Sequence, residues 1–141
     1  MSMRWTLMLT AIAGSAALAG CPCGNPELPV TLIPLSGPFG YAVEGPYGLT
    51  GHLTKDNLTD ATWHLRGTFA FPNSGYAALG PDVQVMESFP EQVVIRLRIL
   101  KPNPGTITLP VITEAQVALD VDASNQAVFT VVVEERCLPE L

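Results

Sequence analysis

Four stretches of this chain alternate apolar and polar residues with a period of two. Trp63, Leu65, Gly67, Phe69 and Phe71 interleave with His64, Arg66, Thr68 and Ala70. Val93, Ile95, Leu97 and Ile99 interleave with Val94, Arg96, Arg98 and Leu100, and Val117, Leu119 and Val121 with Ala118, Asp120 and Asp122. Phe129, Val131 and Val133 interleave with Val128, Thr130 and Val132, so this last stretch reads as buried on both faces. Successive side chains of a strand point to opposite faces, so period two predicts half-buried strands. Between them lie turn residues: Pro72-Asn73-Ser74-Gly75, Lys101-Pro102-Asn103-Pro104-Gly105, and Ala123-Ser124-Asn125-Gln126. The last is short enough to predict a β-hairpin. Val30 to Leu35 fits a short edge strand, with Pro34 limiting its pairing. The expected fold is all-β, an antiparallel β-sandwich of about seven strands, immunoglobulin-like in the loose sense. A partly open barrel is the alternative.

The start of the chain has a different pattern. Arg4 is its one charge, and the stretch from Trp5 to Leu18 is uncharged and largely apolar. A positive start and an apolar run of about 14 residues form an export signal, too short for a span of roughly 20. Leu18-Ala19-Gly20-Cys21 follows, and this sequence resembles the lipobox of bacterial lipoproteins. The resemblance implies a helical signal peptide cleaved after Gly20, a diacylglyceryl thioether on Cys21, and anchoring in a membrane of the cell envelope. Pro22 follows the cysteine. In that family an aspartate there is associated with inner-membrane retention, so its absence points to the outer membrane, facing the periplasm.

Cleavage divides the chain into a signal peptide over 1–20, a Pro/Gly-rich tether over 21–46 and a sandwich domain over 47–141. Removing 20 residues from 141 leaves 121, enough for one domain with its own core. Six Lys and Arg then face thirteen Asp and Glu. This acidity argues against a nucleic-acid partner and against an electrostatic grip on anionic lipid. Three cysteines are an odd number for an oxidising compartment, but lipidation uses Cys21 and leaves Cys23 and Cys137 to pair. Such a bridge would close a loop of about 115 residues, a constraint near 4–5 kcal/mol in the chain-entropy picture.

Candidate chemistry is sparse. His52 and His64 are the only histidines, twelve residues apart with no partner at ligand spacing, and His64 falls on the outer face beside Arg66. Asp120 to Asn125 is oxygen-rich but lacks the glycine and terminal glutamate of a calcium loop. There is no nucleophile elbow and no phosphate-binding loop, so neither catalysis, metal nor cofactor is expected. Tyr41, Tyr47, Tyr76 and Phe89 are the candidate interface residues, since loops carry function in such folds and aromatic rings suit contacts.

Residues 67–119 also resemble a small β domain of bacterial lipoproteins linked to extracytoplasmic proteases. The likeness lies in the Pro72-Asn73-Ser74-Gly75-Tyr76 turn, the following strand and the Pro102-Asn103-Pro104-Gly105 loop. It implies protein binding and no catalytic residues. The expected role is a lipid-tethered, non-catalytic binding or scaffolding module that meets another envelope protein. A carrier with a cleft between the sheets, and a regulator or inhibitor of a protease, are the alternatives.

Overall fold

Ten strands account for most of the computed structural model, which describes residues 26–37, 40–57, 59, 61–103 and 105–137. In chain order they are β1 (Glu27–Pro29), β2 (Thr31–Pro34), β3 (Gly40–Gly45), β4 (Leu49–Lys55), β5 (Thr62–Phe71), β6 (Ala77–Ala78), β7 (Asp82–Met86), β8 (Gln92–Lys101), β9 (Thr113–Asp122) and β10 (Val128–Cys137). They form two packed sheets. One has the order β1-β10-β8, with β6 and β7 sharing the far edge of β8; the other has the order β2-β3-β4-β5-β9. The expected all-β sandwich is therefore observed. The signal peptide and the lipobox lie outside the described residues.

The inner faces follow the alternation. Trp63, Leu65, Phe69 and Phe71 of β5, Val93, Ile95, Leu97 and Ile99 of β8, and Phe129, Val131 and Val133 of β10 are all buried. They meet Val117 and Val121 of β9 and Val43, Leu49 and Leu53 of β3 and β4 in one core. β10 is not buried on both sides, however. Val128 is exposed and Val132 half-buried, because among the described residues no third layer covers the outer face of this sheet. Where β4 and β5 pair, Gly51 lies opposite Gly67, and a Cβ on Gly51 would sit 2.2 Å from the Arg66 carbonyl oxygen. Glycine is needed there because the two backbones approach too closely for a side chain.

Two expectations about connections are corrected. The Ala123–Gln126 turn is not a hairpin: β9 pairs with β5 in one sheet, while β10 pairs with β8 in the other. The turn arches between layers. Buried Ala123 and Ala127 leave room for the crossing, and it is held by Ala123 N–H donating to the Ala61 carbonyl and Trp63 Nε1 donating to the Ser124 carbonyl at 3.3 Å. The chain changes sheets from β8 to β9 and again from β9 to β10. It returns in its original direction, so β8 and β10 pair in parallel, the one parallel pair among the described strands.

The second correction concerns 21–46. The sandwich does not begin at residue 47, since β1, β2 and β3 take Glu27–Gly45 into both sheets. β1 pairs with β10, Val30 N–H donates to the Val131 carbonyl, and the chain then crosses to run along β3 as β2, the edge strand expected near Val30–Leu35. The prolines permit this because of where they fall. Pro29 ends β1 and Pro34 ends β2, each on a strand at a sheet edge, where a missing donor breaks no ladder.

Candidate functional site

The candidate interface side chains lie at the two ends of the sandwich, where the strands give way to loops. One end holds the loops 56–61, 87–91 and 123–127; the other holds the 46–48 turn, the loops 72–76 and 102–112, and Cys137.

At the first end Phe89 is 95% exposed, on a segment with a cis Phe89–Pro90 peptide. Ser88 Oγ donates to the Pro90 carbonyl, and Val128 N–H donates to the Glu91 carbonyl, tying the segment to β10. The segment and Ser124–Gln126 enclose a recess of about 340 Å³. Beneath it lies a sealed aromatic group. The Trp63 and Phe129 rings meet edge to face at 4.8 Å, Tyr41 packs on both, and the ammonium of buried Lys55 lies 5.5 Å over the Trp63 ring while donating to Asn125.

At the opposite end Phe71 stacks between Phe69 and Tyr76, with Tyr47 against both Phe71 and Tyr76. Tyr47 takes a left-handed φ of 59° in the β3–β4 turn, and its hydroxyl donates to the buried carboxylate of Glu135. Burial, then the hydrogen bond to that carboxylate, pushes the Tyr47 phenol far above its ordinary value of 10.0.

The four candidate interface residues thus separate. Tyr41, Tyr47 and Tyr76 are half-buried against the core, and their rings serve packing, because each sits where a strand end leaves an aromatic gap to fill. Only Phe89 is displayed. Lys55 and Glu135 were missed, yet counting in twos along Leu49, Gly51 and Leu53, or along Phe129, Val131 and Val133, leads inward to each of them. Cys137 ends β10 and is not a free thiol. Cys21 and Cys23 lie outside the described residues.

The histidines lie on the outer face of the five-stranded antiparallel sheet, not in a cleft. His52 is exposed opposite Arg66. His64 Nδ1 is 2.8 Å from Asp120 Oδ1 and its Nε2 is 3.3 Å from Asp56 Oδ2, while Arg66 donates to the same Asp120 oxygen at 2.9 Å. The hydrogen bond to Asp120, assisted by Asp56, raises the His64 pKa; the same bond, with Arg66, lowers that of Asp120. Asp122 accepts from Thr62 Oγ1 at 2.9 Å. Asp120, Asp122 and Asn125 each therefore have a side-chain oxygen engaged with a protein partner. Among the described residues no group of three or more His, Cys, Asp or Glu is arranged to hold a metal.

One groove opens between the sheets, at the edge where β6 approaches β9. It is lined by Phe69, Leu97 and Val117 below and by Leu79, Arg98 and Gln116 at its rim, with a volume of about 240 Å³. Comparison with known protein families, with curated proteins and with solved structures finds no match.

Proposed function

We propose that this chain is a lipid-anchored protein of the bacterial envelope whose sandwich is a non-catalytic binding module, engaging another envelope protein through the Phe89 end. The observation that carries this reading is Phe89 itself. It is the one candidate aromatic residue left almost wholly in water, on a segment that joins the paired residues Met86 and Gln92, is tied to β10 through Glu91 and lies next to a recess. An exposed ring on a fixed loop is the form of an interface anchor. The proposed anchor is Cys21, and the proposed bridge joins Cys23 to Cys137. Glu135 N–H donates to the Pro26 carbonyl, so two residues of chain separate that pairing from Cys23 and one separates it from Cys137. Such short lengths of chain bring the two sulfurs within reach of one another.

The expected intact mass of the membrane-derived protein lacks residues 1–20, carries acyl chains and shows no free thiol. Solubilised in mild detergent, it should retain a partner that Phe89→Ala loses at least tenfold. Recovery of no partner, or of one indifferent to Phe89→Ala, would overturn the binding reading. The likeness to protease-associated lipoproteins makes an extracytoplasmic protease the first class of partner to seek. The groove between the sheets favours a second reading, carriage of a small apolar ligand. Its 240 Å³ falls below the roughly 300–1,000 Å³ of ordinary ligand pockets, which weighs against it.

A further inference from the structure

The loop between β8 and β9 is an anomaly for a domain of this charge. Ile107 is 98% exposed, Ile112 72%, Leu109 65% and Val111 57%. From Pro102 to Thr113 the sequence contains no charged residue, and neither does the facing stretch from Gly67 to Pro81, although the mature chain carries thirteen acids. The loop is also fixed in place. Leu109 N–H donates to Ser74 Oγ at 2.9 Å, Ser74 N–H donates to the Leu109 carbonyl at 3.1 Å, and Thr108 and Pro102 lie against Gly75. Four aliphatic side chains are thus held outward by a structured loop. Soluble surfaces scatter such residues; grouped at one place they mark a contact.

The position of the loop identifies what it contacts. Lys101, which opens it, is the register partner of Cys137, and Glu135 bonds to Pro26. The loop therefore emerges at the end where the chain enters the domain. Only four residues separate Cys21 from Pro26, and the five steps between them reach at most about 18 Å. The tether is this short because β1 takes up the residues beyond Pro26. A sulfur held in a thioether to a diacylglyceryl group cannot then let the domain stand away from the bilayer.

We propose that the Ile107–Ile112 loop is a second membrane contact. Its aliphatic side chains enter the interfacial layer of the bilayer that holds Cys21, which sets the sandwich upright and turns the Phe89 end away from the membrane. The contact is apolar, as the acidity of the domain requires. It rests on the lipid-anchor reading, and the test separates the two.

The mature chain has one tryptophan, Trp63, which is buried, because Trp5 precedes the cleavage point. The full chain bearing Ile107→Trp, and separately Phe89→Trp, is purified from membranes and reconstituted in phosphatidylcholine vesicles with and without brominated acyl chains. The Ile107→Trp emission should shift to the blue and be quenched at least twofold by the brominated lipid, while the added ring of Phe89→Trp stays unquenched. No quenching of Ile107→Trp in protein that floats with the vesicles and carries acyl chains by mass overturns the loop contact and leaves the anchor standing. A blue shift without quenching, in protein that sediments as a dimer, overturns it in favour of a second copy of the chain. A mass without acyl chains overturns both readings together.

Discussion

The two ends of the core are closed in the same manner with opposite charges. At the Phe89 end a group of three rings, Trp63, Phe129 and Tyr41, is closed by the ammonium of Lys55; at the Cys137 end Phe69, Phe71, Tyr76 and Tyr47 are closed by the carboxylate of Glu135. Strands run out of partners at the ends of a sandwich, and wide rings cover the aliphatic core there. A charge that reaches a polar group at the rim finishes the seal without leaving a bare apolar surface. The difference lies above the seals. Among the described residues, polar loops and one exposed ring, Phe89, crown the Lys55 end, whereas an uncharged loop with four exposed aliphatic side chains crowns the Glu135 end. What the ends share is packing that closes the core; what distinguishes them is where the two proposed contacts lie.

The comparison breaks most readily at the rings. Trp63→Ala and Phe71→Ala should each cost about 3–5 kcal/mol, because each removes a ring that is almost completely buried. Denaturant unfolding followed by circular dichroism and by fluorescence (tyrosine emission in Trp63→Ala, tryptophan emission in Phe71→Ala) should give coincident transitions in both variants. Separate transitions would mean that the ends unfold independently and that the core is not one unit.

The next effect asks whether the opposite charges are equivalent. Tyr47→Phe removes the donor to a buried carboxylate and should cost about 1–3 kcal/mol. Lys55→Met keeps the stem over Trp63 while losing the cation, and should cost less, about 0.5–2 kcal/mol. The asymmetry arises because Tyr47→Phe strands a charge, whereas Lys55→Met removes one. Equal costs by denaturant midpoint would refute that explanation.

Much of this arrangement was legible in the sequence. Alternation placed the inner faces of β5, β8, β9 and β10 correctly, because a buried face leaves period two no freedom of register. It also put His64 outward beside Arg66, where it is found. Alternation cannot say which strands pair, so the parallel β8–β10 neighbours and the arch at Ala123–Gln126 were hidden. Of the first three strands only β2 was legible, near Val30–Leu35; β1 and β3 were masked by composition, since a stretch rich in proline and glycine reads as a stiff tether until the place of Pro29 at a strand end on a sheet edge is known. The tyrosines were beyond reach for a different reason. A loop ring that packs inward and one that faces water have the same sequence signature, and only the neighbours Phe71 and Phe129 decide between them.

The smallest expected effect lies on neither end, and it tests whether the outer faces matter to the seals at all. His64 is held by Asp120 and Asp56, so its folded pKa is raised above the ordinary 6.5; its contribution to stability is complete below that value and is lost as pH rises through the folded one. Asp120 is depressed below 3.8 by the same hydrogen bond and by Arg66; its contribution is present above 3.8 and is lost as pH falls through the folded value. The cluster therefore stabilises the fold most between these two ordinary values. Asp120→Asn should bring the His64 ring-proton titration down towards 6.5 and remove a slight fall in thermal midpoint as pH rises above that value. The same change should leave the cost of Tyr47→Phe unaltered, since the two sites share no partner. A His64 titration indifferent to Asp120→Asn would show that the cluster does not hold in water. Coupling to Tyr47→Phe would show that the carboxylate seal extends through the sheet to its outer face.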